Sequence, residues 1–113
     1  MNKYIIKKLS NIQYYWVLED VYGGFLMKSP IFATKSHCES SIIASKLSLL
    51  SESFVKHQSP DGQHYFTQVS FDDKKVLATG KMYDEMIDRD IDITLVKSMA
   101  KLSEIIDATM HVA

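Results

Sequence analysis

The sequence predicts an α+β fold in which two tandem β-β-β-α repeats form one antiparallel sheet, with both helices on one face. Three observations carry this expectation. The first is a recurrence of the text at an offset of 51 residues. Tyr14-Tyr15-Trp16-Val17-Leu18 answers Tyr65-Phe66-Thr67-Gln68-Val69, Phe25-Leu26 answers Val76-Leu77, Phe32 answers Tyr83, and Ile42 answers Ile93. A fixed offset through both strand-like and helix-like text marks a repeated supersecondary unit. The second is three short apolar or aromatic runs in each half, separated by turn residues, as in hairpin-linked antiparallel strands. The third is a change to helical spacing of the apolar residues at the end of each half.

The first strand is read at Tyr4-Ile5-Ile6-Lys7-Lys8, with turn chemistry at Ser10-Asn11. The second, from Gln13 to Glu19, is dense in aromatic and β-branched residues. Gly23-Gly24 marks a hairpin, since glycine accepts positive φ without steric cost, and Phe25-Leu26-Met27-Lys28 is the third strand. Ser36-His37-Cys38-Glu39 has the S-x-x-E form of a capping box, and Cys38, Ile42, Ile43, Leu47, Leu49 and Leu50 make a helical stripe. A helix is expected at about 36–51. The second half repeats the plan: a strand at Phe54-Val55-Lys56-His57, a turn at Ser59-Pro60-Asp61-Gly62, and a strand from His64 to Phe71. A turn at Asp72-Asp73-Lys74 and a strand at Lys75–Thr79 follow. A second helix is expected from Asp84 or Asp88 to about Ser103, with Ile93, Val96, Met99 and Ala100 on one face. In the tail Ile105-Ile106-Asp107-Ala108-Thr109, the adjacent isoleucines and the threonine favour a strand over more helix.

The chain of 113 residues fits one domain, made of repeats at about 1–52 and 53–113. Each half alone buries too little surface to be stable, so the halves are expected to share a core. A net charge of −1 lacks the basic footprint of a nucleic-acid binder. No run approaches the ~20 apolar residues that span a bilayer. The opening, with lysines on both sides of a very short apolar run, is not a signal peptide. One cysteine forms no internal disulfide, which suits a reducing cytoplasm.

The chain resembles the YegP-like family of small bacterial proteins. The resemblance is carried in the second half by Asp61-Gly62-Gln63-His64-Tyr65-Phe66, Val76-Leu77, Tyr83 and Ile93-Thr94-Leu95-Val96-Lys97. The first half contributes Tyr14-Tyr15-Trp16-Val17-Leu18, Leu26, Ser29-Pro30-Ile31-Phe32 and Ile42-Ile43-Ala44-Ser45-Lys46. It departs from the family pattern where Gly80 replaces a serine and Phe32 a tyrosine. The resemblance implies β3α repeats in one sheet, with the C-terminal strand exchanged between repeats, and implies no activity.

Catalytic constellations are absent from the text. His37, His57, His64 and His111 lack metal-ligand spacing, and no cofactor or metal is expected. Cys38 is at a helix start, where a thiol's pKa can fall, yet it also fits the apolar stripe of a buried cysteine. The carboxylates Asp84, Glu85, Asp88, Asp90 and Asp92 read as helix capping and solubility. Alternation along the second strand of each half, taken at the common offset, puts Tyr14, Leu18, Tyr65 and Val69 under the helices. Tyr15, Val17 and Phe66 are then left on the open face as a contact surface. The expected function is a non-enzymatic binding or assembly module, using that face or an edge strand to meet a protein partner or itself. The alternative is a small-ligand binder or cofactor-independent enzyme with a site at the repeat junction, near Ser29, Cys38 and Tyr83.

Overall fold

A computed structural model describes residues 2–110. His111 lies outside the described residues. The order of elements is β1 (Lys3–Ser10), β2 (Gln13–Glu19), β3 (Phe25–Lys28), α1 (Lys35–Leu47), β4 (Phe54–Gln58), β5 (His64–Val69), β6 (Val76–Gly80), α2 (Met86–Met99) and β7 (Glu104–Asp107). Single 3-10 turns, Ser51–Ser53 and Ala100–Leu102, follow the two helices. The seven strands form one sheet in the order β4-β5-β6-β3-β2-β1-β7. The sheet is mixed rather than wholly antiparallel, because β7 runs parallel to β1, with Tyr4 beside Ile105 and Ile6 beside Asp107. These are the first and last strands, so no tight turn constrains their direction, and the chain reaches β7 after α2.

Both helices lie on one face. Trp16 Nε1 donates to Ser41 Oγ at 3.0 Å, and the Tyr4 hydroxyl meets Ser45 Oγ at 2.8 Å, both on α1. Lys56 of β4 reaches Asp90 of α2 at 3.3 Å. Between sheet and helices lies the core, with Tyr4, Trp16, Leu18, Met27, Cys38, Ile42, Phe66, Ala78 and Val96 all fully buried. Tyr4 and Trp16 meet edge to face with centroids 5.1 Å apart. Gln68 is also fully buried. Its Nε2 donates to the carbonyls of Ser45 and Ser48 at 3.0 and 2.8 Å, and its Oε1 accepts from Ser45 Oγ at 2.6 Å. A buried amide is tolerated because its donors and acceptor are used, and it fixes the end of α1 over the sheet.

The second strand departs from the expected register. Tyr14 exchanges both backbone hydrogen bonds with Phe32, at 2.8 and 2.7 Å, and His64 exchanges both with Tyr83, at 2.6 and 2.8 Å. Tyr14 therefore corresponds to His64, fifty residues on, while Phe32 corresponds to Tyr83, fifty-one on. The change occurs in the β2–β3 and β5–β6 turns. Asp20 N closes on Gly24 O in one, and Ser70 N closes on Lys75 O in the other, a turn one residue longer. Lys74 there takes φ 59°, where Gly23 takes φ 85° in the shorter turn. A slip of one residue moves every side chain of a strand to the opposite face. Phe66 and Gln68 thus face the helices, and Tyr65 and Thr67 face away, contrary to the expected placement of Phe66 and Tyr65. Gly80 accommodates this arrangement: a Cβ there would stand 2.4 Å from Phe66 Cε1, so the ring occupies the space left by the missing side chain.

Helix α1 begins earlier than the capping box suggested. Thr34 is the N-cap, and its side chain accepts from His37 N at 3.1 Å. The cap satisfies one orphan amide and shifts Ser36 into the first turn. The helix also ends at Leu47, short of the expected 51, and α2 ends at Met99. The tail forms β7, in keeping with its β-branched residues.

Candidate functional site

The three residues expected on the open face have separate fates. Phe66 is in the core. Val17 is on the open face but is 5% exposed, flanked by Ile5 on β1 and Lys28 on β3. Tyr15 is half-buried, with Lys28 Nζ 4.9 Å from its ring centroid. The lysine stem and ammonium cover the aromatic face, so this part of the sheet is dressed by its own side chains. Across β4 and β5 the open face carries His57, stacked on Tyr65 at 4.9 Å and hydrogen-bonded to Thr67 Oγ1 at 2.9 Å. His57 and His64 do not pair with each other: His64 sits opposite Gln58.

Ser29, Cys38 and Tyr83 each have a local task. Ser29 Oγ accepts from Trp16 N at 2.9 Å and donates to Pro30 O at 2.8 Å, tying β3 to β2. A shallow hollow of about 320 Å³ beside Ser29 is lined also by Phe25, Lys28, Thr79 and Gly80, without Cys38 or Tyr83. Cys38 is fully buried, and burial pushes its thiol up to about 11, with Glu39 and Asp107 adding to the effect. That is opposite to the lowering a helix start can give, because desolvation of the thiolate outweighs the dipole. The Tyr83 hydroxyl donates to Asp92 of α2. Burial, then the bond to Asp92, raises the Tyr83 phenol well above its ordinary value. Burial also holds the Asp92 carboxyl above the usual carboxylate range, with Tyr83 and Lys81 opposing and Asp20 and Asp88 reinforcing. Asp92 is therefore not a solvated helix-start carboxylate. Nor does Glu85, the N-cap of α2, make a side-chain capping bond, while Asp90 pairs with Arg89 and Lys56. No group of three or more His, Cys, Asp or Glu residues suited to a metal exists among the described residues.

The feature that the sequence reading did not locate is a difference between the two ends of the sheet. At one end β7 covers β1. At the other, among the described residues, β4 has a strand on one side only. The His64 backbone turns toward Tyr83, so the alternation of a strand turns Tyr65 and Thr67 toward β4, opposite His57 and Val55. The backbone N–H and C=O of Phe54 and Lys56 consequently face outward. Ile6 has the matching orientation on β1, where its carbonyl accepts from Ala108 N at 3.0 Å. Beside this bare edge a groove of about 210 Å³ runs between β4 and α2, lined by Phe54, Lys56, Asp90, Ile93, Thr94 and Lys97. Phe54 and Ile93 form its apolar floor, each 7% exposed. A second exposed feature is the outer side of α2, where Ile87, Ile91 and Leu95 recur at four-residue spacing.

No protein-family profile and no curated protein matches the chain. Two solved structures share its fold. A UPF0339 protein, SO3888 from Shewanella oneidensis, is 23% identical with a TM-score of 0.87, over 94% of this chain and 90% of that one. The protein of unknown function yegP from E. coli is 20% identical with a TM-score of 0.86, over 95% of this chain and 92% of that one. Both are solution NMR structures. The likeness is one of fold, an α+β arrangement of a seven-stranded mixed sheet and two helices, and it agrees with the YegP-like resemblance. No helix among the described residues is long and apolar enough to cross a membrane.

Proposed function

We propose that this protein is a non-enzymatic binding module, built from two copies of one β3α unit, that takes a protein partner along the free edge of β4. The supporting observation is the unpaired outward backbone of Phe54 and Lys56, next to a groove with an apolar floor. An edge of this kind is a template for another strand, and β-augmentation draws affinity from such main-chain bonds. The duplicated reading is supported by the matching Tyr14–Phe32 and His64–Tyr83 bridges. Under it, β7 is a strand passed from the second repeat to the first.

Self-pairing of two β4 edges is disfavoured by Lys56, which an antiparallel twofold pairing centred on it would set against its own copy. Edge lysines are a common guard against such association. The open face around Tyr15 is a weaker candidate, since Lys28 already covers the ring.

The test is partner capture from the native host by the wild type and three variants, each shown folded by circular dichroism. Lys56→Pro removes an outward N–H at an edge position where proline is tolerated. Tyr15→Ser alters the open face, and Ile91→Ser the outer side of α2. A partner lost only with Lys56→Pro supports the edge reading. A partner lost only with Tyr15→Ser or Ile91→Ser moves the contact elsewhere and overturns the edge. No partner retained by the wild type overturns the module.

A further inference from the structure

We infer that the bare edge of β4 accepts an extended peptide segment running parallel to β4, with an apolar residue beside Phe54 and an acidic residue two positions later beside Lys56. The inference rests on the edge-binding reading above and adds the direction, register and chemistry of the segment.

At the other end of the sheet the corresponding place is filled. Tyr4 corresponds to Phe54, Ile6 to Lys56, Glu39 to Asp90 and Ile43 to Thr94, in the alignment that the backbone bridges impose. On β1 the filling strand is β7, parallel, with Ile105 beside Tyr4 and Asp107 beside Ile6. Directly neighbouring residues of parallel strands share a face, so Ile105 and Asp107 both stand on the helix side. Together with Ile6, Glu39 and Ile43 they border a groove under α1. The groove under α2 has the matching walls in Lys56, Asp90 and Thr94, and lacks the strand. An apolar side chain at the first position would lie over Phe54 and Ile93.

The charge of the second position follows from what replaces Ile6. On β1, Asp107 sits beside an isoleucine and reaches across to Lys35 of α1 at 2.9 Å. On β4, the counterpart of Lys35 is Met86, and the cation has moved to the strand as Lys56. Lys97, whose Nζ donates to the Ser51 hydroxyl at 2.8 Å, lines the same groove as Lys56. Against these two lysines the groove holds one carboxylate, Asp90, which is shared between Lys56 at 3.3 Å and the buried Arg89 at 3.1 Å. An acidic side chain is the complement.

The chain's own Glu104-Ile105-Ile106-Asp107 has this apolar-x-acid order, so a free peptide with the sequence of residues 102–109 is the probe. It is titrated into the full-length protein and followed by amide NMR, beside a peptide carrying lysine in place of the aspartate. The expected result is shifts at Phe54, Lys56, Ile93 and Thr94, with binding about fivefold weaker for the lysine peptide. A Lys56→Glu variant should reverse that preference. Shifts confined to β1 and β7, or no saturable shift, overturn the inference. Equal binding of both peptides by the wild type overturns its charge rule. If partner capture remains sensitive to Lys56→Pro while the peptide fails, the segment's chemistry is wrong and the edge reading stands. If both fail, the edge reading falls with it.

Discussion

Replacing Phe66 by alanine should destabilise the protein far more than replacing its neighbour Tyr65, because a one-residue difference in turn length decides which ring enters the core. Phe66 is fully buried, packed against Phe54 at 6.0 Å and over Gly80. Removing a buried phenylalanine costs about 3–5 kcal/mol in lost transfer energy and cavity. Tyr65 is half-buried on the open face, and its loss removes one stacked contact with His57, worth about 0.5–1.5 kcal/mol. At about 4 °C per kcal/mol for a chain of this size, the midpoints fall by roughly 12–20 °C and roughly 2–6 °C. Denaturant and thermal unfolding followed by far-ultraviolet circular dichroism measure both. A sharper form uses Gly80→Ala. Its Cβ would collide with the Phe66 ring, an overpacking that costs about 1–3 kcal/mol in the wild type. In the Phe66→Ala background that collision is gone, so the double-mutant cycle should show coupling of about 1–3 kcal/mol. If Tyr65→Ala proves the more damaging change, or Gly80→Ala costs the same in both backgrounds, the register argument is wrong.

Gln68→Leu should lower stability by about 1–3 kcal/mol despite its greater hydrophobicity, because it strands the buried carbonyls of Ser45 and Ser48; an unchanged urea midpoint would contradict this. Cys38 should stay unmodified by a thiol reagent at pH 8 in the folded protein, with labelling tracking the unfolding curve, since its thiol is buried and pushed up to about 11; rapid stoichiometric labelling of native protein would count against the placement. For β7, burial tends to raise the Asp107 carboxyl, but hydrogen bonds from Thr109 and Lys35 together bring it below its ordinary value. A lowered folded value means that the stabilisation is present above the unfolded value of about 3.9 and is lost as pH falls through the folded value. Amide shifts of residues 105–108 should therefore change through that acid window in the wild type and hold level in Asp107→Asn, whereas identical titrations in both would remove Asp107 as the cause.

Local chemistry reaches the sequence directly, and so the elements were legible there. Aromatic and β-branched runs, the Gly23 and Gly62 turns and the apolar spacing around Ile42 and Ile93 specify strands, hairpins and helices from neighbours alone. The two-layer arrangement was legible too, since each half exposes one apolar face that only the other layer can cover. The facing of β5 was not. It depends on whether the turn after it holds one residue more than the turn after β2, and only the hydrogen bonds of Tyr14 with Phe32 and His64 with Tyr83 decide that. The cap at Thr34 against Ser36, the burial of Asp92 and the parallel seat of β7 depend in the same way on partners distant in the chain. The candidate edge was least legible of all. Phe54-Val55-Lys56-His57 reads as an ordinary strand, and nothing in its residues states which strand will lie beside it. That was decided when α2 carried β7 to β1 and left β4 at the end of the sheet, because strand order is a property of the chain's path through space and not of any local spacing.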